Sequence, residues 1–377
     1  MDVLIAGDFC PSERVAKKID NNEYDDIFSE IKPLVTNVDI SLLNFECPIV
    51  IHDAKPIFKQ GPNLKCTSNA AKAVKEAGFK LVTLANNHIN DYGETGIKDT
   101  LETFNNLELY TVGAGMNIND ASKIFYYKKN GEICAFINCC EREFSIATDK
   151  CAGANALDPV SQWYIIQEAK QQANYVVMIV HAGHEHCQLP SERMQDTFRF
   201  FIDNGVDAIV THHQHCYSGY EIYKGKPIVY GIGNFCFDER ASMGTLWNEG
   251  YMVTLHINSI SPEIALFPYI QCGEEPKIKL FSKASKKQFI HNIHKLNEII
   301  ADRHLLHQSL VEKYRETEDS YAMALQPYTS KVLLSMFSRG FLPNLFSTKK
   351  YISYLNYIQC DSHRDRLIQY LKDKIYK

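Results

Sequence analysis

The sequence predicts an α/β fold, on two observations. Short apolar runs alternate with amphipathic helical patterns over residues 1 to about 272, and chemically capable polar residues stand just after those runs. The strand candidates are residues 3–6, 40–43, 81–84, 176–180, 208–211 and 228–230. Several are unbroken runs of Val, Ile and Leu, the pattern of strands covered on both faces. Helical spacing marks residues 69–77, 93–105, 161–172 and 190–204 between them. Strands alternating with helices build layered α/β domains. Residues 123–127 and 133–138, split by Asn130-Gly131, predict a hairpin.

A chain of 377 residues with 45% apolar content can bury one large core or two smaller ones. The formal charge of −5 argues neither for nor against a nucleic-acid partner, and none is expected. The 12 cysteines are scattered without a CxxC pair, which fits reduced, half-buried thiols and not a disulfide scaffold. No apolar run approaches the ~18 residues of a membrane span. Read with Met1 as its start, the sequence lacks a basic n-region and a cleavage site, and predicts a cytoplasmic protein.

Asp8 follows the first run, Glu46 the second, and Asn87 and His88 the third. His181 follows residues 176–180, and His213 and His215 follow residues 208–211. Ligands of open α/β sheets bind outside the carboxyl ends of strands, so these segments are expected to converge on one cleft at such an edge. Singly, each residue is ordinary, since a lone His at a strand end is more often structural. His213 and His215 are alternate residues, which on an extended segment would point the same way. Together they offer imidazoles, which suit transition metals, and carboxylates, which can bridge two cations. Mn, Fe or Zn fits this set better than Ca or Mg. The expected cofactor is a pair of such divalent transition metal ions.

Five blocks occur in order: Gly7-Asp8; Asn44-Phe45-Glu46; Ala85-Asn86-Asn87-His88 with Asp91-Tyr92-Gly93; His181-Ala182-Gly183-His184-Glu185; and His213-Gln214-His215 with Gly231-Ile232-Gly233-Asn234. On these blocks the chain resembles the CapA, poly-γ-glutamate capsule-biosynthesis family, which is similar in turn to the calcineurin-like metallophosphoesterases. The resemblance covers roughly residues 1–240. It implies a four-layer α/β/β/α sandwich. It implies that Asp8 and His215 bind a first metal, that Glu46 bridges, and that Asn87, His181 and His213 bind a second. His88 would be the general acid, oriented by Asp91. Glu185 and Asn234 match positions near the substrate. Cys10 stands where the wider superfamily has His, and two readings stay open: a thiolate ligand, or a small buried residue in the turn before Pro11.

The resemblance implies a metal-dependent, phosphoesterase-type hydrolase of bacterial capsule or cell-envelope polymer metabolism. The alternative is a non-catalytic, metal-containing factor that handles or assembles the polymer. An anionic polymer or a phosphoester is the expected substrate, with envelope-biosynthesis proteins as partners.

The character of the chain changes near residue 274. Residues 276–377 carry 18 Lys+Arg against 9 Asp+Glu. The sequence therefore predicts a front domain over 1–273 and a helical, basic extension over 274–377, with helical spacing at 288–300 and 367–375. Its apolar residues, among them Val332, Leu333, Met336 and Phe341, need cover. They are expected to pack on the front domain; the competing reading lays them on a membrane surface, with Lys331, Arg339, Lys349 and Lys350 toward acidic lipid.

Overall fold

The structure, a computed structural model, describes residues 1–257, 262–328 and 330–375. It divides into two compact units, Met1–Gln308 and Ser309–Lys377. Side-chain alternation along the strand Asp2–Phe9 sets the layering of the first unit. Val3 and Ile5 join a core with Ile40, Leu42, Val177, Ile179 and Val210, which lies between two sheets. Leu4 and Ala6 point the other way, into a second core with Val15, Ile19, Val74 and Phe104 of the helices Glu13–Asp20, Asn69–Glu76 and Gly93–Asn106.

In spatial order the first sheet is Ile278–Leu280, Glu263–Gln271, Glu249–His256, Asp2–Phe9, Ile40–Phe45, Leu81–Thr83 and Tyr110–Val112, and Asn234–Cys236 also pairs with Asp2–Phe9. The second is Tyr220–Tyr223, Lys226–Val229, Ala208–His212, Tyr175–His181, Glu132–Cys140 and Phe125–Lys129. The strands nearest the site run parallel within each sheet. Helix Pro159–Gln172 packs on the outer face of the second sheet, with Glu192–Asp203 beside it. The order is helix, sheet, sheet, helix. Central strands are thus covered on both faces, which is why they read as unbroken apolar runs. The four predicted helices of this region lie within two residues of their observed ends. The hairpin turns at Asn130 and Gly131, both at positive φ.

The boundary at residue 273 does not hold. Strand Ile278–Leu280 pairs with Glu263–Gln271 at the edge of the first sheet. Helix Lys283–Ala301 buries Phe289, Ile293 and Ile300, with Phe289 against Tyr217 and Tyr251. The surplus of lysine there marks the outer face of a docked helix, and the first unit continues to Gln308. The second unit holds the helices Glu318–Leu325, Lys331–Ser338, Thr348–Gln359 and Asp361–Ile375. Among the described residues no helix is long and apolar enough to cross a membrane.

One close approach aims the site. The pairing of Asp2–Phe9 with Ile40–Phe45 shifts register between Ala6 and Asp8, and Asp8 pairs with Asn234 on the opposite side. A Cβ at Gly7 would lie 1.9 Å from the Gly233 carbonyl oxygen. Gly7→Ala is therefore expected to push the two strands apart. Overpacking of this kind costs about 1–3 kcal/mol, read as a lower denaturant midpoint. A midpoint equal to wild type would mean that the Gly233 strand yields freely.

Candidate metal centre

The carboxyl edges of both sheets meet at one place. Asp8, Glu46 and Asn87 come from the first sheet, and His181, His213 and His215 from the second. All six are buried. The convergence expected at one sheet edge is thus built from two. Near the site Asn138 stitches the sheets together: its Oδ1 accepts from the N–H of Leu84 (3.1 Å) and Ala85 (2.7 Å), and its Nδ2 donates to the Ile179 carbonyl (3.0 Å). That fixes the turn carrying Asn87 and His88.

Two sets of donor atoms lie within 4.8 Å of one another. One is Asp8, Glu46 and His215, the other Glu46, His181 and His213, and Glu46 is common to both. Glu46 Oε1 is 3.6 Å from His181 Nε2 and 3.6 Å from His215 Nε2. Asn87 Oδ1 is 3.1 Å from His181 Nε2. Asp8 accepts from Asn44 Nδ2 at 2.7 Å and from the His213 N–H at 3.1 Å. Asn44 also lies 3.2 Å from His181 Nδ1.

The donor set fits a cation on its own chemistry. Both Glu46 carboxylate oxygens are buried without a hydrogen-bond partner. An unpaired buried carboxylate is expensive, so such groups are neutralised or coordinate metal. Burial, then repulsion from Asp8, pushes the Glu46 carboxyl well above its usual range. Burial holds His181 well below the usual imidazole range and lowers His215. Burial and the neighbouring His215 bring His213 down to about 3. Neutral imidazoles are the form that ligates.

His213 and His215 do not lie on an extended segment. His213 has φ of 100° and His215 of 54°, a region that non-glycine residues seldom occupy. Each such residue stores about 1–3 kcal/mol. The bond from His213 N–H to Asp8 and that between His215 Nδ1 and Asn234 Oδ1, at 2.9 Å, hold them there. The two rings thereby serve different donor sets.

Asn234 is corrected accordingly. It is buried, its Oδ1 meets His215, and its Nδ2 donates to the carbonyls of His215 and Trp247. These bonds hold the His215 ring and occupy both ends of the Asn234 amide. Glu185 is exposed and lines a cleft of about 610 Å³ with Lys59, Asn87, His88, Arg142 and Glu143. Cys10 is buried in the core under the first sheet, in neither donor set. A hydrogen bond with Cys47 and then burial push its thiol well up, and it is the small buried residue of the two readings.

His88 Nδ1 is 2.7 Å from Asp91 Oδ2. A carboxylate can only accept, so Nδ1 carries the hydrogen and Nε2 is the nitrogen left for a ligand. Sequence reading missed the third member of this group. Lys59 Nζ lies 2.5 Å from Asp91 Oδ1 and 3.2 Å from His88 Nδ1, with its side chain 3% exposed. The Asp91 carboxylate also accepts from the Leu64 N–H at 2.6 Å, and its main-chain carbonyl from the Ile57 N–H, so both ends of the segment from Ile57 to Leu64 are pinned to one residue. Lys59→Met leaves that buried charge uncompensated. Removing one partner of a buried pair costs about 3–5 kcal/mol, measurable by chemical denaturation. A loss below about 1 kcal/mol, the range of exposed pairs, would show that water reaches Asp91.

A family model of the bacterial capsule synthesis protein PGA_cap matches residues 2–239. The capsule biosynthesis protein CapA of Bacillus anthracis is 34% identical over 247 residues, 63% of this chain and 60% of that protein. The PGA biosynthesis protein CapA of Bacillus subtilis (strain 168) is 35% identical over 245 residues, 63% of this chain and 64% of that protein. The chain thus spans less than two thirds of the length of either relative. Among solved structures it is similar to a phosphatase from Mycoplasma pneumoniae, at 14% identity and a TM-score of 0.47, over 78% of this chain and 98% of that one.

Proposed function

The chain belongs to the bacterial capsule synthesis protein family, and from that premise we propose that its buried centre is a metal-dependent phosphoesterase site acting in capsule or cell-envelope polymer metabolism. The observation that carries this reading is Glu46. Its two oxygens are buried and unpartnered, and Oε1 stands 3.6 Å from a histidine of each donor set. Asp8, Glu46 and His215 would hold one divalent ion, and Glu46, His181 and His213 with Asn87 a second, drawn from Mn, Fe or Zn. Such ions supply Lewis acidity to a phosphoryl group and lower the pKa of a water.

The chain's own groups do the rest. Asn44 and the His213 N–H hold Asp8 in place. Asn234 and the Trp247 ring, 4.8 Å between centroids, fix His215. Asp91 fixes the tautomer of His88, whose Nε2 can carry a proton to a departing oxygen in the cleft. Glu185 and Arg142 stand on the rim where a polymer would pass.

The test is metal analysis of protein purified without added metal, joined to turnover of an aryl phosphodiester by the loaded protein. Mn, Fe or Zn at one to two ions per chain with turnover is the expected result. A second reading, a factor that binds the anionic polymer without turnover, draws on Cys10, which lies in the core and adds no ligand to the Asp8 set. Absence of turnover on any phosphoester by fully loaded protein would favour it.

A further inference from the structure

We propose that residues 320–328 and 330–360 form a docking face for a membrane containing anionic lipid. The first observation is electrostatic. These residues contain no Asp, Glu or His, and carry Lys331, Arg339, Lys349 and Lys350, all exposed. Within this segment the charge is of one sign, bordered in sequence by Asp319 and Asp361, and it fits an anionic partner better than a cationic one.

The second observation is what lies between the charges. Helices Lys331–Ser338 and Thr348–Gln359 bury no residue. Yet Val332 is 69% exposed, Phe341 70%, Leu345 56%, Ile352 63%, Leu355 53% and Ile358 58%. Val332, Leu333 and Met336 share one face of the first helix by spacing, and Ile352, Leu355 and Ile358 form a stripe on the second. The segment also has an inner side of its own. Phe346 packs on Tyr351 and Tyr354, and Tyr328 on Phe337, while Gln326 bonds Asn344 and the Leu345 N–H. The outer residues are thus a second apolar face, left over after the segment has packed on itself.

Exposed large apolar side chains flanked by lysine and arginine are the pattern of a helix lying in a lipid interface, where apolar area and attraction to acidic headgroups add. A second copy of the chain would bring the same four positive charges against its own, which opposes that occupant. Neither helix needs to span the bilayer for this. The inference stands apart from the metal centre.

The test is co-sedimentation of the full chain with vesicles of phosphatidylcholine alone and of phosphatidylcholine with phosphatidylglycerol, read beside its elution volume on gel filtration. Binding to the anionic vesicles only, and weakening with salt, is expected. A basic side chain at such a surface contributes about a fivefold factor in partitioning, so joint Lys331→Glu, Arg339→Glu, Lys349→Glu and Lys350→Glu should cost about 100- to 1,000-fold. Phe341→Ser with Ile352→Ser should weaken binding while leaving its salt dependence. The wild-type titration needs no variant to fold. Failure to sediment with anionic vesicles, binding that ignores lipid charge, or a stable dimer that leaves vesicles alone would each overturn the proposal.

Discussion

Replacing Glu46 by glutamine is expected to abolish metal loading and, at neutral pH, to raise the stability of the metal-free protein. Both effects have one cause. Glu46 is fully buried, shared by both donor sets, and has neither oxygen hydrogen-bonded. Its charge is tolerable only beside added positive charge. Glutamine keeps the shape, loses the charge and is a poor bridge between cations.

The sign of the pH dependence follows. In the metal-free fold burial raises the Glu46 carboxyl well above its ordinary value of 4.5. A raised group contributes stability that is fully present below its unfolded value and lost as pH rises toward its folded one. Metal-free wild type should therefore lose stability, relative to Glu46→Gln, as pH rises from 4.5 to 8. The difference between the two isolates Glu46, because the buried histidines are common to both. Saturating metal should reverse the order. At about a hundredfold excess over Kd a ligand adds about 2.7 kcal/mol to a protein that binds it, and nothing to one that does not. Thermal melts of both proteins with and without Mn or Zn read all four corners. If glutamine retained full metal content, Glu46 would not be the bridge. If it destabilised the metal-free protein at pH 8, the buried carboxylate would have a partner that the geometry does not contain.

Much of this centre could be read in the sequence, and physics separates what could from what could not. A strand covered on both faces must be apolar throughout, so a polar residue at its end is conspicuous, and Asp8, Glu46, Asn87 and His181 announced themselves that way. The same rule applied inside the runs would have found Asn44 and Asn138. Each interrupts a buried apolar strand, and each spends its amide on the neighbouring site. What stayed hidden depends on contacts distant in sequence. The strand runs look alike whether they form one sheet or two, because burial on both faces is the same in either case. Lys59 reads as an ordinary lysine until Asp91, far along the chain, folds against it. The positive φ of His213 and His215 has only a faint signal in sequence, the modest enrichment of histidine in that region. Charge placed the domain border too early, since the lysines of Lys283–Ala301 face out while Phe289 and Ile293 face in.

His88→Ala is expected to cost little on a substrate with a good aryl leaving group and about 10²–10⁴-fold in kcat on one with an alkyl or sugar leaving group. His88 is in neither donor set, and its Nδ1 is committed to Asp91. Its freedom to act lies at Nε2, which can give a proton to a departing oxygen. A phenolate barely needs that proton, whereas an alkoxide does, so the loss should scale with the basicity of the leaving group while metal content stays whole. Asp91→Asn should show the same leaving-group pattern at smaller size, because an amide can still meet Nδ1 without selecting the tautomer, together with a loss of stability from leaving Lys59 without its carboxylate. His181→Ala gives the contrast. It removes a member of a donor set, and should lower both substrates together along with the metal. Parallel losses for His88→Ala on both substrates, accompanied by loss of metal, would make His88 a ligand. Parallel losses with metal intact would make it a group that places the substrate, for the proton's benefit must follow the leaving group and a binding contact need not.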